Sequence, residues 1–270
     1  MPRIKIVTIN ILNDLSRWEQ RRTLLVSGLA ALSPDLIALQ EVHLPQNPAH
    51  WLAEKLGYPH LVVSPKLGRS KNFEALAIIS RLPLEGVGIL DLEGQDRIAQ
   101  CVHLNLGDSS FYLANCHLFW QPGESANRLR QVERLQNWLS GLPGEPPGIV
   151  CGDFNETPEN SAIRLMRHNY LSAYSAIHGR EPEYTCPTPL PRAFWSVTRT
   201  FLGFFLLIRP QYIKLHWRGT LDYIFVDPRL EVTQSRVVLD QPSPENPRIY
   251  PSDHFGLFAE IEIPTKIPRG

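Results

Sequence analysis

Short apolar runs closed by polar residues recur from one end of this sequence to the other, and few folds accommodate that pattern. Runs of four to eight β-branched and aliphatic residues read as strands, because burial on a pleated sheet suits those side chains. Strands are expected at residues 4–10, 36–42, 60–64, 75–80, 86–91, 99–106, 110–117, 148–153, 221–226, 231–239 and 255–263. Helical spacing of apolar residues marks residues 18–32, 49–56, 128–142 and 161–168, the first stopped by Ser33-Pro34. So many strands exceed what one open sheet of this length holds. The expected fold is a four-layered α/β sandwich, with two mainly antiparallel sheets packed face to face and helices outside.

The 270 residues are 43% hydrophobic, enough for a sizeable core, and no repeat or low-complexity tract interrupts them. One domain over residues 1–270 is expected. With 27 basic against 27 acidic residues, the chain is not one that grips nucleic acid through a global positive field. Cys101, Cys116 and Cys151 sit in apolar runs, Cys186 stands apart, and no two form a C-x-x-C pair, so all four read as buried free thiols. The N-terminus enters a strand pattern with no apolar signal region, which makes a cytoplasmic location the expectation. Phe201 to Ile208 is the longest apolar cluster, far short of the ~20 residues that span a bilayer.

The polar residues that end the strands carry the chemistry, since strand ends bring distant parts of a chain around one pocket mouth. They are Asn10, Gln40-Glu41, Asn115 and His117, Asp153 and Asn155, Asp222, and Ser252-Asp253-His254. Each has a bland reading alone, as a turn residue, a solvated strand end or a cap. Together they supply hard oxygen donors (Glu41, Asn10, Asp153, Asp253), an amide donor (Asn155) and two histidines, the kit for metal-assisted phosphoester hydrolysis. Phosphoester anions repel a nucleophile, so a catalyst neutralises the non-bridging oxygens, positions water in line and stabilises the leaving oxygen. Mg²⁺ suits the first and last of these tasks, and Asp222 is placed as the partner that orients His254.

In this order, Asn10, Gln40-Glu41, His117-Leu118, Gly152-Asp153-Phe154-Asn155, Asp222-Tyr223-Ile224-Phe225 and Ser252-Asp253-His254-Phe255 resemble the endonuclease/exonuclease/phosphatase superfamily of DNase I-like, metal-dependent phosphoesterases. The resemblance covers nearly the whole chain. It implies that Glu41 and Asn10 bind a catalytic Mg²⁺, for which Mn²⁺ can substitute, with Asp253 close to the metal. It implies that Asp153 and Asn155 orient water and phosphate. His254, paired with Asp222, is the base or phosphate-contacting histidine, and His117 is a second phosphate-binding histidine partnered by Glu74. Exonuclease III-type abasic endonucleases carry Tyr where this chain has His117, which ranks that subgroup low. The stretch from Asn115 to Pro122, followed by Arg128-Leu129-Arg130-Gln131, resembles the matching loop of CCR4-like nucleases and puts Arg128 among the substrate-binding residues.

An insertion or flap is expected at about residues 185–220, with Arg192, Arg199, Arg209, Lys214, Arg218 and His216, no acidic residue, and seven aromatics interleaved. Three readings stand for it: a single-stranded nucleic-acid groove, a peripheral membrane contact through residues 194–218, or a flap packed on its own domain. The expected function is a Mg²⁺-dependent phosphodiesterase acting on nucleic acid, phospholipid or nucleotide through an activated water. The alternatives are a phosphomonoesterase of inositol-phosphate type and a catalytically silent binding module with the same fold.

Overall fold

In the computed structural model, described for residues 2–107, 109–190 and 217–264, the chain alternates strands and helices in both halves. The order is β1 (Arg3–Asn10), α1 (Trp18–Leu32), β2 (Leu36–His43), α2 (Pro48–Leu56), β3 (His60–Pro65), β4 (Glu74–Ser80), β5 (Glu85–Asp91), β6 (Ile98–Leu106) and β7 (Ser109–His117). Then follow α3 (Ser125–Ser140), β8 (Gly148–Asp153), α4 (Ser161–Asn169), β9 (Leu171–Ser172), α5 (Ala173–His178), β10 (Asp222–Val226), β11 (Glu231–Val238) and β12 (Gly256–Glu262).

Among the described residues these strands form two six-stranded sheets, ordered β11-β12-β1-β2-β4-β3 and β5-β6-β7-β8-β10-β9. Only the β1–β2 and β7–β8 pairs are parallel. Ile4, Ile6, Leu36, Ala38, Ile78, Leu113, Ile149, Cys151, Ile224 and Val226 fill the space between the sheets. Side chains of opposite parity on the same strands, such as Val7, Ile9, Ile37 and Ile79, meet Leu25, Leu29 and Leu52 of α1 and α2. On the second sheet Ala114, Val150 and Phe225 meet Leu135, Leu139, Ile163 and Met166 of α3 and α4. The period-2 alternation thus builds four layers, helix, sheet, sheet, helix, as the strand count requires.

Differences from the sequence expectation are local. Helix α3 begins at Ser125 rather than residue 128, because its first turn is polar and the apolar stripe starts only at Leu129. The two-residue β9, the six-residue α5 and a 3-10 turn at Gly68–Asn72 are too short for periodicity to register. Of the expected insertion, residues 191–216 lie outside the described residues, and with them most of the proposed membrane-contacting segment. Its two ends meet at an isolated antiparallel bridge between Cys186 and Gly219. No described helix is long and apolar enough to cross a membrane. All four cysteines are free and buried.

Candidate active site

The inner faces of both sheets turn polar at one end. Continuing the parity of the inter-sheet core, Ile6 leads to Thr8 and Asn10, Ala38 to Gln40, Ile78 back to Glu74, Leu113 to Asn115 and His117, Cys151 to Asp153, and Ile224 back to Asp222. Each strand reaches the same end of the sandwich, so the chemistry continues the core rather than sitting on its surface. Gln40 ties the sheets together there, its Nε2 donating to Asn115 Oδ1 at 2.7 Å and Thr8 Oγ1 at 3.0 Å.

Glu41 has the wrong parity and would point at the helices. Two features redirect it: the β2–β4 register slips between Leu39 and Val42, and Glu41 itself has φ 58°. A bulge with a left-handed residue re-aims a side chain at a cost of about 1–3 kcal/mol, a strain characteristic of functional positions. Asn155 is likewise left-handed at φ 49°. Between them Gly152 adopts φ 137°, where a Cβ would lie 2.0 Å from the Cys116 carbonyl oxygen, so only glycine lets β8 pass β7 and deliver Asp153.

Two groups of potential metal-ligating atoms result, Glu41 with Glu74 and His117, and Asp153 with Asp222 and His254, each within 4.8 Å. Asp153 joins them: its Oδ2 accepts Asn10 Nδ2–H at 3.0 Å, lies 3.5 Å from His117 Nε2 and 3.9 Å from His254 Nε2. Its Oδ1 accepts the Asn155 N–H at 2.9 Å. Asp222 Oδ2 is 2.9 Å from His254 Nδ1 and accepts the Thr185 hydroxyl at 2.6 Å. Glu74 Oε1 faces His117 Nδ1 at 3.4 Å, and Asn13 N–H donates to Glu41 Oε2 at 2.8 Å. Asn10 Oδ1 accepts Leu12 N–H at 3.0 Å, keeping one lone pair, while its partner across β2 is Gln40, next to Glu41.

The two histidines are driven to opposite charge states. Burial, then the charge of Arg97, pushes His117 well below its ordinary pKa, so it is neutral. Burial also opposes charge on His254, but Cys186, Asp222 and Asp153 overcome it and hold that group well above its ordinary value. Burial keeps the Cys186 thiol protonated, which leaves the two carboxylates to carry the effect. Burial raises Asp153 against the pull of both histidines. For Glu41, burial and Glu74 push upward, and His117, the Asn13 amide and Lys66 bring it net below its ordinary value.

Lys66 and Arg97 are the site residues that sequence reasoning missed. Both are buried, Lys66 paired to Glu74, and Arg97 Nη1 3.6 Å from the same oxygen. Burial, then Arg97, lowers the Lys66 pKa to about 8 despite Glu74. The signal was present, since Lys66 closes the β3 run and Arg97 precedes that of β6, but cations at strand ends are common on surfaces. Thr185 was missed too, having been assigned to the insertion. It accepts the N–H groups of Leu221 and Asp222 and donates to the Asp222 carboxylate.

Two of the expected site residues make other contacts. Arg128 is buried, with Nε on Glu156 Oε2 at 2.9 Å and Nη1 on the carbonyls of Phe119 and Gln121, so its donors hold a loop and are not offered to a substrate. Asp253 belongs to neither ligand group; its backbone carbonyl accepts Thr188 N–H, and its charge acts on the buried Arg21 guanidinium.

A two-sheet sandwich with helices outside, gathering carboxylates and histidines at one end of its core, places the chain in a class, the DNase I-like α/β sandwiches. The chain belongs to the Endonuclease/Exonuclease/phosphatase family, whose model it matches over residues 7–254. Nocturnin of Mus musculus is 25% identical over 271 residues, covering 92% of this chain and 59% of the relative. The 2′,5′-phosphodiesterase 12 of Mus musculus is 31% identical over 167 residues, 56% of this chain and 26% of the relative. The chain spans about half the length of the first curated relatives it matches. TDP2 of D. rerio complexed with single strand DNA product superposes with a TM-score of 0.76 at 17% identity, covering 97% of this chain and all of that one, a likeness of fold.

Proposed function

We propose that this chain hydrolyses phosphodiester bonds in nucleic acid with Mg²⁺, by in-line attack of water. The observation that carries this reading is Asp153, placed between a neutral and a charged histidine at the polar end of the core. Similarity to a 2′,5′-phosphodiesterase and to a fold that holds a single strand DNA product favours a nucleic-acid diester over a lipid or inositol phosphate.

The residues fit a divalent cation. Glu41 and Glu74 bring two half-buried carboxylates together beside buried His117, whose Nδ1 has no hydrogen-bond partner there. Glu41 would hold the ion, with Asn10 Oδ1 beside it, while Glu74 stays with His117 and Lys66. Mn²⁺ tolerates such an oxygen-rich set as well. When bound, the cation supplies positive charge to the phosphoryl and leaving oxygens.

The protein's own part is positioning and proton handling. Asp153, oriented by Asn10 and the Asn155 N–H, directs the attacking water and takes up its proton. The His254 imidazolium, fixed by Asp222 and Thr185, binds a non-bridging phosphoryl oxygen whose negative charge grows in the transition state. Neutral His117 carries a single ring N–H, which on Nε2 donates to a second such oxygen. The water oxygen joins phosphorus as its proton passes to Asp153, the bond to the ester oxygen breaks, that oxygen takes a proton from solvent while Asp153 returns its own to solvent, and the products are a phosphomonoester and an alcohol.

A substrate panel tests the reading: single- and double-stranded DNA, RNA, sphingomyelin vesicles and inositol phosphates, each with Mg²⁺ or EDTA. Mg²⁺-dependent cleavage of a nucleic acid is expected. Turnover confined to inositol phosphates or sphingomyelin would overturn it, and Mg²⁺ binding without any turnover would favour the silent module.

A further inference from the structure

We propose that Trp120 is a stacking platform for a nucleobase next to the scissile phosphodiester, and that Arg128 is the residue that positions it. This rests on the nucleic-acid reading above.

Trp120 follows His117 by three residues and leaves the catalytic end of β7, yet its side chain is not folded into the core: the residue is 49% exposed. An indole left in water on a loose turn would mean little. Here side chains hold four backbone groups of the turn. Gln131 Oε1 accepts the Phe119 N–H at 2.8 Å, and Gln95 Oε1 accepts the Trp120 N–H at 3.0 Å. Arg128 Nη1 donates to the Phe119 carbonyl at 3.1 Å and the Gln121 carbonyl at 2.9 Å, while its Nε is fixed by buried Glu156.

The loop that supplies Gln95 is itself strained. Glu93, Gly94, Gln95 and Asp96 are four successive residues with positive φ, at 56°, 86°, 55° and 57°. Three of them carry side chains, for which this conformation is unfavourable and persists only when surroundings over-determine it. Gln131 Nε2 donates to the Glu93 carbonyl, Ser70 donates twice to the Asp96 carboxylate, and Gly94 comes so close to Phe119 that a Cβ would lie 3.4 Å from that ring. Three loops are thus locked into one rim whose exposed product is an aromatic face. The same strained loop runs directly into Arg97, which lies 3.6 Å from Glu74, so the chain joins the rim to the catalytic cluster.

Every base has a π-face, so a rigid aromatic ring beside a phosphodiester centre engages nucleotides whatever their sequence. A phosphate ester without a base gains nothing from it. Stacking is worth about five- to 150-fold in affinity per base.

The experiment compares Trp120→Ala, Trp120→Phe and the unmodified chain on two single-stranded oligonucleotides, one complete and one with tetrahydrofuran residues in place of the nucleosides flanking the cleaved bond. For Trp120→Ala, KM for the complete strand should rise about five- to 150-fold, with the loss in KM rather than kcat. KM for the base-free strand should hold, and Trp120→Phe should recover most of the loss. Equal effects on both strands, or none on either, would overturn the proposal alone. If the unmodified chain cuts neither strand, the proposal and the nucleic-acid reading fall together.

Discussion

Substituting Asp222 by Asn is the sharpest test of how the two histidines divide the work. The replacement is isosteric at a fully buried position, and its side-chain oxygen can still accept the Thr185 hydroxyl, so the fold is retained. What disappears is the charge that faces His254 Nδ1 at 2.9 Å. A hydrogen bond to a charged partner is worth about 1.5–3 kcal/mol, which converts to about 10- to 150-fold in rate if the imidazolium acts in the transition state. The direction with pH follows from linkage. In the native chain His254 is held well above its ordinary value of 6.5, so it keeps its proton through neutral pH, and both activity and its share of stability fade as pH rises through the native value. Removing the Asp222 charge lowers that value, so the alkaline limb of the kcat profile moves to lower pH. The assay is kcat on a single-stranded oligonucleotide across pH 6 to 9, with circular dichroism confirming the fold. A variant with at least half the native rate and an unmoved alkaline limb would refute the role assigned to His254.

Further outcomes follow from the same geometry. Arg128→Ala leaves buried Glu156 without its cationic partner and should cost about 3–5 kcal/mol in denaturant unfolding; unfolding at the native denaturant concentration would contradict the buried pair. Gly152→Ala should lose about 1–3 kcal/mol from its backbone conformation alone, and its activity with it, since Asp153 follows directly; melting at the native temperature would contradict the close approach to Cys116. Lys66, lowered from 10.5 to about 8, binds its proton less tightly in the native chain than when unfolded, so it adds stability as pH rises through that window. Over pH 8 to 10 the difference in melting temperature between the native chain and Lys66→Met should therefore move in favour of the native chain, and a constant difference would count against the burial of that ammonium.

Much of the fold was legible because a sandwich writes itself into period-2 alternation. Runs such as Ile4 to Asn10 and Gly148 to Asp153 announce both the strand and the polar residue at its end. Asn10, Asp153, Asp222 and His117 were visible for one physical reason: they continue the buried parity of their own strands. Glu41 breaks that parity; it was visible as the polar end of its run, but the bulge and left-handed backbone that turn it into the site leave no trace in residue spacing. The contacts of Arg128 were not legible, since an arginine near a catalytic loop looks the same in sequence whether it faces a phosphate or a buried glutamate. Lys66, Arg97 and Thr185 could be recognised only once three dimensions set them against Glu74 and Asp222.

The most direct test of the account is the Mg²⁺ dependence of oligonucleotide cleavage, measured for the unmodified chain and for Glu41→Gln. The account predicts that EDTA abolishes turnover in the native chain, and that the variant needs at least about tenfold more Mg²⁺, the cost of about 1.4 kcal/mol of lost metal affinity. Cleavage that survives EDTA, or a Glu41→Gln variant with the native Mg²⁺ requirement, would contradict it.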